Sequence, residues 1–194
     1  MISSLQKEIK IRCHEIPNLN WDTVYFGGGT PSLLSIKDLK ELFNTIQTNF
    51  NIAEEAEITI EANPDDLDPD YLKALSELPV NRLSIGMQSF SDKLLNLLGR
   101  RHNSAQSVSA IKNARKYGFQ NISIDLMYGL PELDHHLWEE TLQKALSLNP
   151  QHISAYHLTV EPGTILEKHI ANDTLKMPAE DESIQQFNTL LNTL

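Results

Sequence analysis

Strand-like and helix-like segments alternate along this chain from end to end, and that alternation narrows its folds more than any other feature. Ile2, Leu5, Ile9, Cys13 and Ile16 recur at helical spacing, which predicts an amphipathic helix over residues 2–16. Cys13 lies on its apolar face and reads as a small core residue. Runs rich in β-branched and aromatic residues predict strands at 23–26, 57–60, 82–85, 121–125 and 152–156. Helices are predicted between them. One opens at Ser35, with Asp38 in capping-box position and a stripe of Ile36, Leu39, Leu42, Phe43 and Ile46. Another opens at Asp68-Pro69, where proline surrenders no amide the helix needs. Further helices are predicted at 91–98, at 104–117 with Gly118 as its stop, and at 134–148. Ile184, Phe187, Leu190, Leu191 and Leu194 mark a last one, while Glu161-Pro162-Gly163-Thr164 onward to Met177-Pro178 reads as loop. Such βα units predict a parallel α/β fold in one domain, with every strand's C-terminal end on one rim. A partial barrel and an open doubly wound sheet both satisfy the pattern.

Composition removes several functions. A net charge of −10 argues against a nucleic-acid face, which needs clustered Lys and Arg to neutralise phosphates. No apolar run approaches the ~18 residues of a membrane span, and Met1 to Ile16 lacks the pattern of a secretory signal. A single cysteine forbids an internal disulfide and suits a reducing compartment, so the cytoplasm is the expected location.

The polar residues gather at the strand ends. Gly27-Gly28-Gly29-Thr30-Pro31, Glu61, Gln88, Asp125 and Thr159 each fall at or just past a predicted strand, the edge that hosts sites in barrel-like parallel folds. The glycine run permits positive φ and close backbone approach, but it is neither a Walker loop nor a dinucleotide fingerprint. Arg100 follows Leu97-Leu98-Gly99 and offers a guanidinium able to grip a carboxylate with two hydrogen bonds. Carboxylates, amide and guanidinium together match the ammonium, carboxylate and diol of an amino-acid-bearing nucleoside. His102 and His157 fall near the rim, His135 and His136 cannot share one helix face, and His14 and His169 read as surface. No residue is singled out as catalytic and no metal-ligand set by its spacing, although Glu61, Asp125 and His157 leave open a metal-dependent barrel hydrolase.

Gly-Gly-Gly-Thr-Pro-Ser, Ile-Glu-Ala-Asn-Pro, Arg-Leu-Ser-Ile-Gly-Met-Gln-Ser-Phe, Leu-Gly-Arg-Arg-His and Ile-Asp-Leu-Met-Tyr-Gly-Leu-Pro, in that order, resemble the radical S-adenosylmethionine family of oxygen-independent coproporphyrinogen III oxidase. Within it, the run from Ile153 to Thr164 resembles the haem-chaperone branch. The resemblance implies a partial TIM-like (β/α) barrel, with residues 1–194 as one core domain truncated at both ends and lacking the first strand and cluster loop. It implies S-adenosylmethionine held by Gly28, Gly29 and Thr30 at its methionine, Glu61 at its ammonium and Arg100 at its carboxylate. Gln88 and Asp125 would take the ribose and Thr159 the adenine side. It also implies a [4Fe–4S] cluster, whose three cysteine ligands are absent here, and a porphyrin or haem partner. The expected function is porphyrin or haem metabolism, as an oxidase-like enzyme inactive in this portion alone, or alternatively as a haem-binding chaperone. Without its first strand, the edge beginning at Thr23 is an invitation to self-association.

Overall fold

Five parallel strands pair in chain order: β1 (Asn20–Phe26), β2 (Asn51–Ala62), β3 (Arg82–Gln88), β4 (Asn121–Tyr128) and β5 (His152–His157). This computed structural model describes residues 1–15 and 19–194, so Ile16 of the opening apolar pattern lies outside the described residues. A doubly wound sheet reverses its strand order at a switch point, and this one never does. The architecture is therefore a partial (β/α) barrel. Eight α-helices accompany the sheet among the described residues: α1 (Ile2–Arg12), α2 (Ile36–Asn49), α3 (Pro69–Leu75), α4 (Asp92–Leu97), α5 (Ser104–Lys116), α6 (His135–Ser147), α7 (Ile165–Ala171) and α8 (Glu180–Thr193).

The alternation within each strand sorts its side chains. Ile58, Ile60, Leu83, Ile85, Met87, Ile122, Ile124 and Leu126 are buried in one core together with Leu39, Leu72, Ile111, Trp138 and Leu142 from the helices. Each such side chain contributes about 1.5–3 kcal/mol by leaving water. The residues between them, Thr59 and Glu61, Arg82, Ser84 and Gly86, Ser123 and Asp125, form the opposite face. A parallel sheet covered on both sides reads as a continuous apolar run. Here only the helix-facing side does, which leaves the other free for polar chemistry.

Capping residues fix the helix starts as their sequence suggests. Asp68 Oδ1 accepts from the backbone N–H of both Asp70 and Tyr71 at 2.9 Å. Ser35 Oγ accepts from Asp38 N at 3.1 Å. Three regions depart from the sequence reading. β1 and β2 begin at Asn20 and Asn51 rather than Thr23 and Glu57, because Asn20 and Trp21 pair with Asn51 and Ile52 ahead of a register shift. The expected loop after Thr164 contains α7, a two-turn helix with no fully buried residue, whose Leu166 and Ile170 give an apolar pair too short to stand out as a stripe. Cys13 is half-buried rather than a core residue. Helix α1 has no fully buried side chain and leans on α2 through polar contacts such as Gln6 Nε2 donating to Thr45 Oγ1 at 3.1 Å. Among the described residues β1 and β5 are the sheet's two edges, so the stretch from Thr23 presents an unpaired side.

Candidate functional site

The connection leaving β1 turns at Gly28 (φ +76°) and Gly29 (φ +67°), backbone that other residues rarely adopt. Gly27 matters for a different reason: a Cβ there would stand 2.7 Å from Tyr25 Cε1 and 3.0 Å from Glu61 Oε1. Its absence lets the loop close on Glu61. Gly28 N–H donates to Glu61 Oε2 at 3.1 Å, and Tyr25 OH donates to Oε1 at 2.9 Å. Burial pushes the Tyr25 phenol pKa up, and its bond to Glu61 pushes it further, so the hydroxyl stays a donor at neutral pH.

Arg100 is aimed from both sides. Helix α4 ends at Leu97 and is closed off by Gly99 (φ +66°), with Arg100 N–H returning to Leu95 O at 2.9 Å, the closing bond of a Schellman turn. Three residues after Arg100, Asn103 opens α5 with a reciprocal capping box, both bonds to Gln106 being 2.9 Å. Between these fixed points Arg100 Nη2 donates to Asn63 Oδ1 at 2.6 Å and to Gly86 O at 3.4 Å. Burial draws its pKa below the usual guanidinium value, with Asp65 and Asp66 opposing, yet an arginine stays charged in proteins. Arg101 points the other way and clips the loop after β2, meeting Asp65 Oδ2 and Asp66 Oδ1 at 2.9 Å each.

Gln88 closes β3 with φ +57°, past a register shift against β4. Its amide folds back over Gly86, where a Cβ would stand 2.8 Å from Gln88 Nε2. The Gln88 Oε1 is buried without a hydrogen-bond partner among the described residues. An acceptor in that state awaits a donor. Asp125, from β4, lies 3.4 Å from the Ser84 hydroxyl, which donates to it. Burial raises its carboxyl pKa and nearby Glu61 adds to that, while hydrogen bonds from Ser154 and Ser84 counter it.

These side chains converge on a cavity of about 210 Å³ at the C-terminal rim, lined by Gly29, Thr30, Pro31, Glu61, Ala62, Asn63, Ser84, Gly86, Gln88, Arg100 and Asp125. Of the residues marked from sequence, Gly29, Thr30, Glu61, Gln88, Arg100 and Asp125 are brought together there. Gly28 stands behind Glu61 rather than on the wall. Thr159 is exposed beyond the end of β5 and lies off that wall. Asn63 and Ser84 join the wall without standing among the sequence candidates, though both carry a signal. Asn63 sits inside the Ile-Glu-Ala-Asn-Pro run, and strand alternation puts Ser84 on the face of Glu61 and Asp125. An acceptor, a guanidinium, two carboxylates and a close-approach glycine loop suit a zwitterionic ligand bearing hydroxyls.

The remaining candidates fall elsewhere. His157 is exposed and rests edge-on against Tyr128 at 5.2 Å. Among the described residues no group of three or more His, Cys, Asp or Glu is placed to hold a metal ion, which leaves the barrel-hydrolase reading without a site. Cys13 lies near Asn49, which precedes β2, and so sits at the end of the sheet opposite the rim. One thiol there does not furnish the ligand set of an iron–sulfur cluster. A larger cavity of about 480 Å³ lies between the starts of α6 and α8. Its polar groups are largely spent on structure. Asp134 caps α6, Glu182 caps α8, His135 pairs with Glu139 and Glu132 with Lys93. The smaller cavity is the one whose polar atoms converge without being used up.

Residues 4–145 match the Radical SAM superfamily. The chain is 38% identical over 173 residues to the haem chaperone HemW of Bacillus subtilis (strain 168), covering 89% of this chain and 46% of that protein. It is 41% identical over 143 residues to HemW of Escherichia coli (strain K12), covering 74% and 38%. Among solved structures, coproporphyrinogen III oxidase (HemN) from Escherichia coli superposes with a TM-score of 0.84 at 27% identity, covering 98% of this chain and 44% of that one. The chain thus spans less than half the length of these relatives.

Proposed function

Because the chain belongs to the radical S-adenosylmethionine superfamily, we propose that its rim cavity holds S-adenosylmethionine and that the protein serves porphyrin or haem metabolism. Membership implies S-adenosylmethionine and a [4Fe–4S] cluster as the cofactors. The observation that carries the site is the orphaned Gln88 Oε1 beside Arg100, Glu61 and Asp125 in one cavity. In this reading Arg100 grips the ligand's carboxylate while Asn63 and the Gly86 carbonyl hold its guanidinium in place. Glu61, fixed by Tyr25 and Gly28, faces the ammonium. Gln88 and Asp125 take the ribose hydroxyls, and the backbone at Gly29 and Thr30 accommodates the methionine chain. Thr159, beyond β5, is the candidate for the adenine side. When bound, S-adenosylmethionine supplies radical chemistry to members of this family, and the protein's share is binding, orientation and electrostatics. The cluster finds no ligand set on these residues, so no role is assigned to Cys13.

Two readings of the wider function share this site: an oxidase-like enzyme acting on a porphyrin, and a carrier of haem. The second is favoured by the Bacillus subtilis and Escherichia coli relatives, both named haem chaperones. The site is tested by titrating the protein with S-adenosylhomocysteine in a calorimeter. Saturable binding that Arg100→Ala weakens by about tenfold or more supports the assignment; binding indifferent to Arg100→Ala and Glu61→Ala overturns it. Offering the protein coproporphyrinogen III and, separately, haem distinguishes the two readings. Decarboxylated product supports the enzyme, whereas retained and transferable haem without decarboxylation supports the carrier.

A further inference from the structure

His102 carries no role in binding, yet it is one of the most thoroughly buried polar side chains of the protein, its side chain only 1% exposed. Its Nε2 lies 3.3 Å from the carbonyl oxygen of Met87. Met87 is the residue at which β3 slips against β4: Gly86 pairs with Asp125 and Gln88 with Leu126, leaving Met87 as the bulged residue. The same carbonyl accepts from Ser89 N–H at 2.7 Å, an i to i+2 bond closing a three-residue turn centred on Gln88. With φ +57° at Gln88, this is the rare positive-φ form of such a turn. Left-handed backbone at a non-glycine residue persists only where the surroundings hold it.

We propose that His102 is a positioning residue for Gln88: by donating to the Met87 carbonyl it holds the left-handed turn that folds the Gln88 amide over Gly86 and into the rim cavity. Both lone pairs of that carbonyl are then occupied, one by the turn and one by the imidazole. The tautomer follows from the geometry. A carbonyl opposite Nε2 requires the proton on Nε2, leaving Nδ1 as an acceptor, and Nδ1 has no partner among the described residues. Asp65 Oδ1 is 3.8 Å from it, across a cavity also lined by Asn63, Arg100 and Arg101. Burial lowers the His102 pKa; the Met87 carbonyl opposes this, Arg100 lowers it further, Asp65 opposes and Arg101 lowers it. The neutral imidazole is therefore the form present at neutral pH.

This inference rests on the reading that Gln88 faces a ligand's ribose, and the two can fail separately. The variants are His102→Leu, which keeps the bulk and removes the donor, His102→Gln, whose amide N–H reaches towards the Nε2 position, Gln88→Ala, and the His102→Leu/Gln88→Ala pair. The readouts are hydrogen exchange at the Ser89 amide, and binding of S-adenosylhomocysteine against its 2′-deoxyribose analogue. His102→Leu is expected to speed Ser89 exchange, to weaken S-adenosylhomocysteine by about tenfold and to erase preference over the deoxy analogue. His102→Gln restores much of both, and His102→Leu adds nothing on top of Gln88→Ala. Unchanged Ser89 exchange and unchanged preference in His102→Leu, with only a lowered melting temperature, overturn the proposal and make His102 a packing residue. Faster Ser89 exchange in His102→Leu, with Gln88→Ala leaving affinity untouched, supports the positioning and overturns the ribose reading.

Discussion

Gly86→Ala separates the stability of this fold from the shape of its cavity. Gly86 is not at positive φ, so an alanine fits the backbone there and narrows the unfolded ensemble, a gain of about 0.4–1 kcal/mol. Its Cβ would stand 2.8 Å from Gln88 Nε2 and 3.3 Å from Arg100 Nη2. The first contact forces the free end of a flexible side chain aside, at about 0.5–1.5 kcal/mol if the rotamer is strained. The second asks the guanidinium to give by a few tenths of an ångström. These opposing effects leave folding stability within about 1 kcal/mol of the parent, a melting shift below about 4 °C. Ligand binding fares worse. Losing the Gln88 hydrogen bond costs about 1 kcal/mol and loosening a charge-assisted bond at Arg100 costs at least as much again. The sum, about 2 kcal/mol, weakens S-adenosylhomocysteine roughly 30-fold. Urea denaturation and calorimetric titration of the same preparation measure both quantities. Unchanged affinity would show that the ligand does not rely on the amide lying over Gly86, and a loss of several kcal/mol in stability would show that Gly86 is chiefly a packing requirement.

Two further outcomes follow from polar groups that folding draws wholly or partly out of water. Gln186 is 2% exposed; its Oε1 accepts from Gly129 N–H at 2.8 Å and its Nε2 donates to Leu133 O at 2.8 Å. Gln186→Ala strands both backbone groups, for a loss of about 3–4 kcal/mol in urea denaturation; a loss under about 1 kcal/mol would mean water replaces the amide there. Asp125 has a folded-state pKa raised above the ordinary 3.8, first by burial, so its contribution to stability is complete below 3.8 and is lost as pH rises through the raised value. Asp125→Asn, which cannot ionise, is therefore expected to melt higher than the parent at pH 7 by up to about 3 °C. That advantage should shrink as the pH is lowered towards 4, while affinity for the nucleoside falls; an advantage independent of pH would contradict the argument.

The alternation of apolar strands with capped amphipathic helices fixes a parallel α/β fold without reference to coordinates, because a period of two and a period of 3.6 are written residue by residue. Asp68-Pro69, the capping residue Ser35 and the strand cores at Ile58, Leu83 and Ile122 are legible for that reason. So is the rim, since right-handed βα units bring Glu61, Gln88 and Asp125 to one edge whatever the closure of the sheet. Other features needed the tertiary structure. Chain-order pairing, and with it a partial barrel, depends on which strands meet. Helix α7 has only two turns and only Leu166 packed against the core, too little apolar pattern to read along the chain. Arg100 and Arg101 are neighbours of one residue type, and only the Schellman turn at Gly99 sends the first into the cavity and the second to Asp65 and Asp66. The left-handed turn at Gln88 is likewise invisible along the chain, because the carbonyl it depends on is held by an imidazole 15 residues away. Sequence determines the local periods and caps; contacts between distant segments decide where each polar atom points.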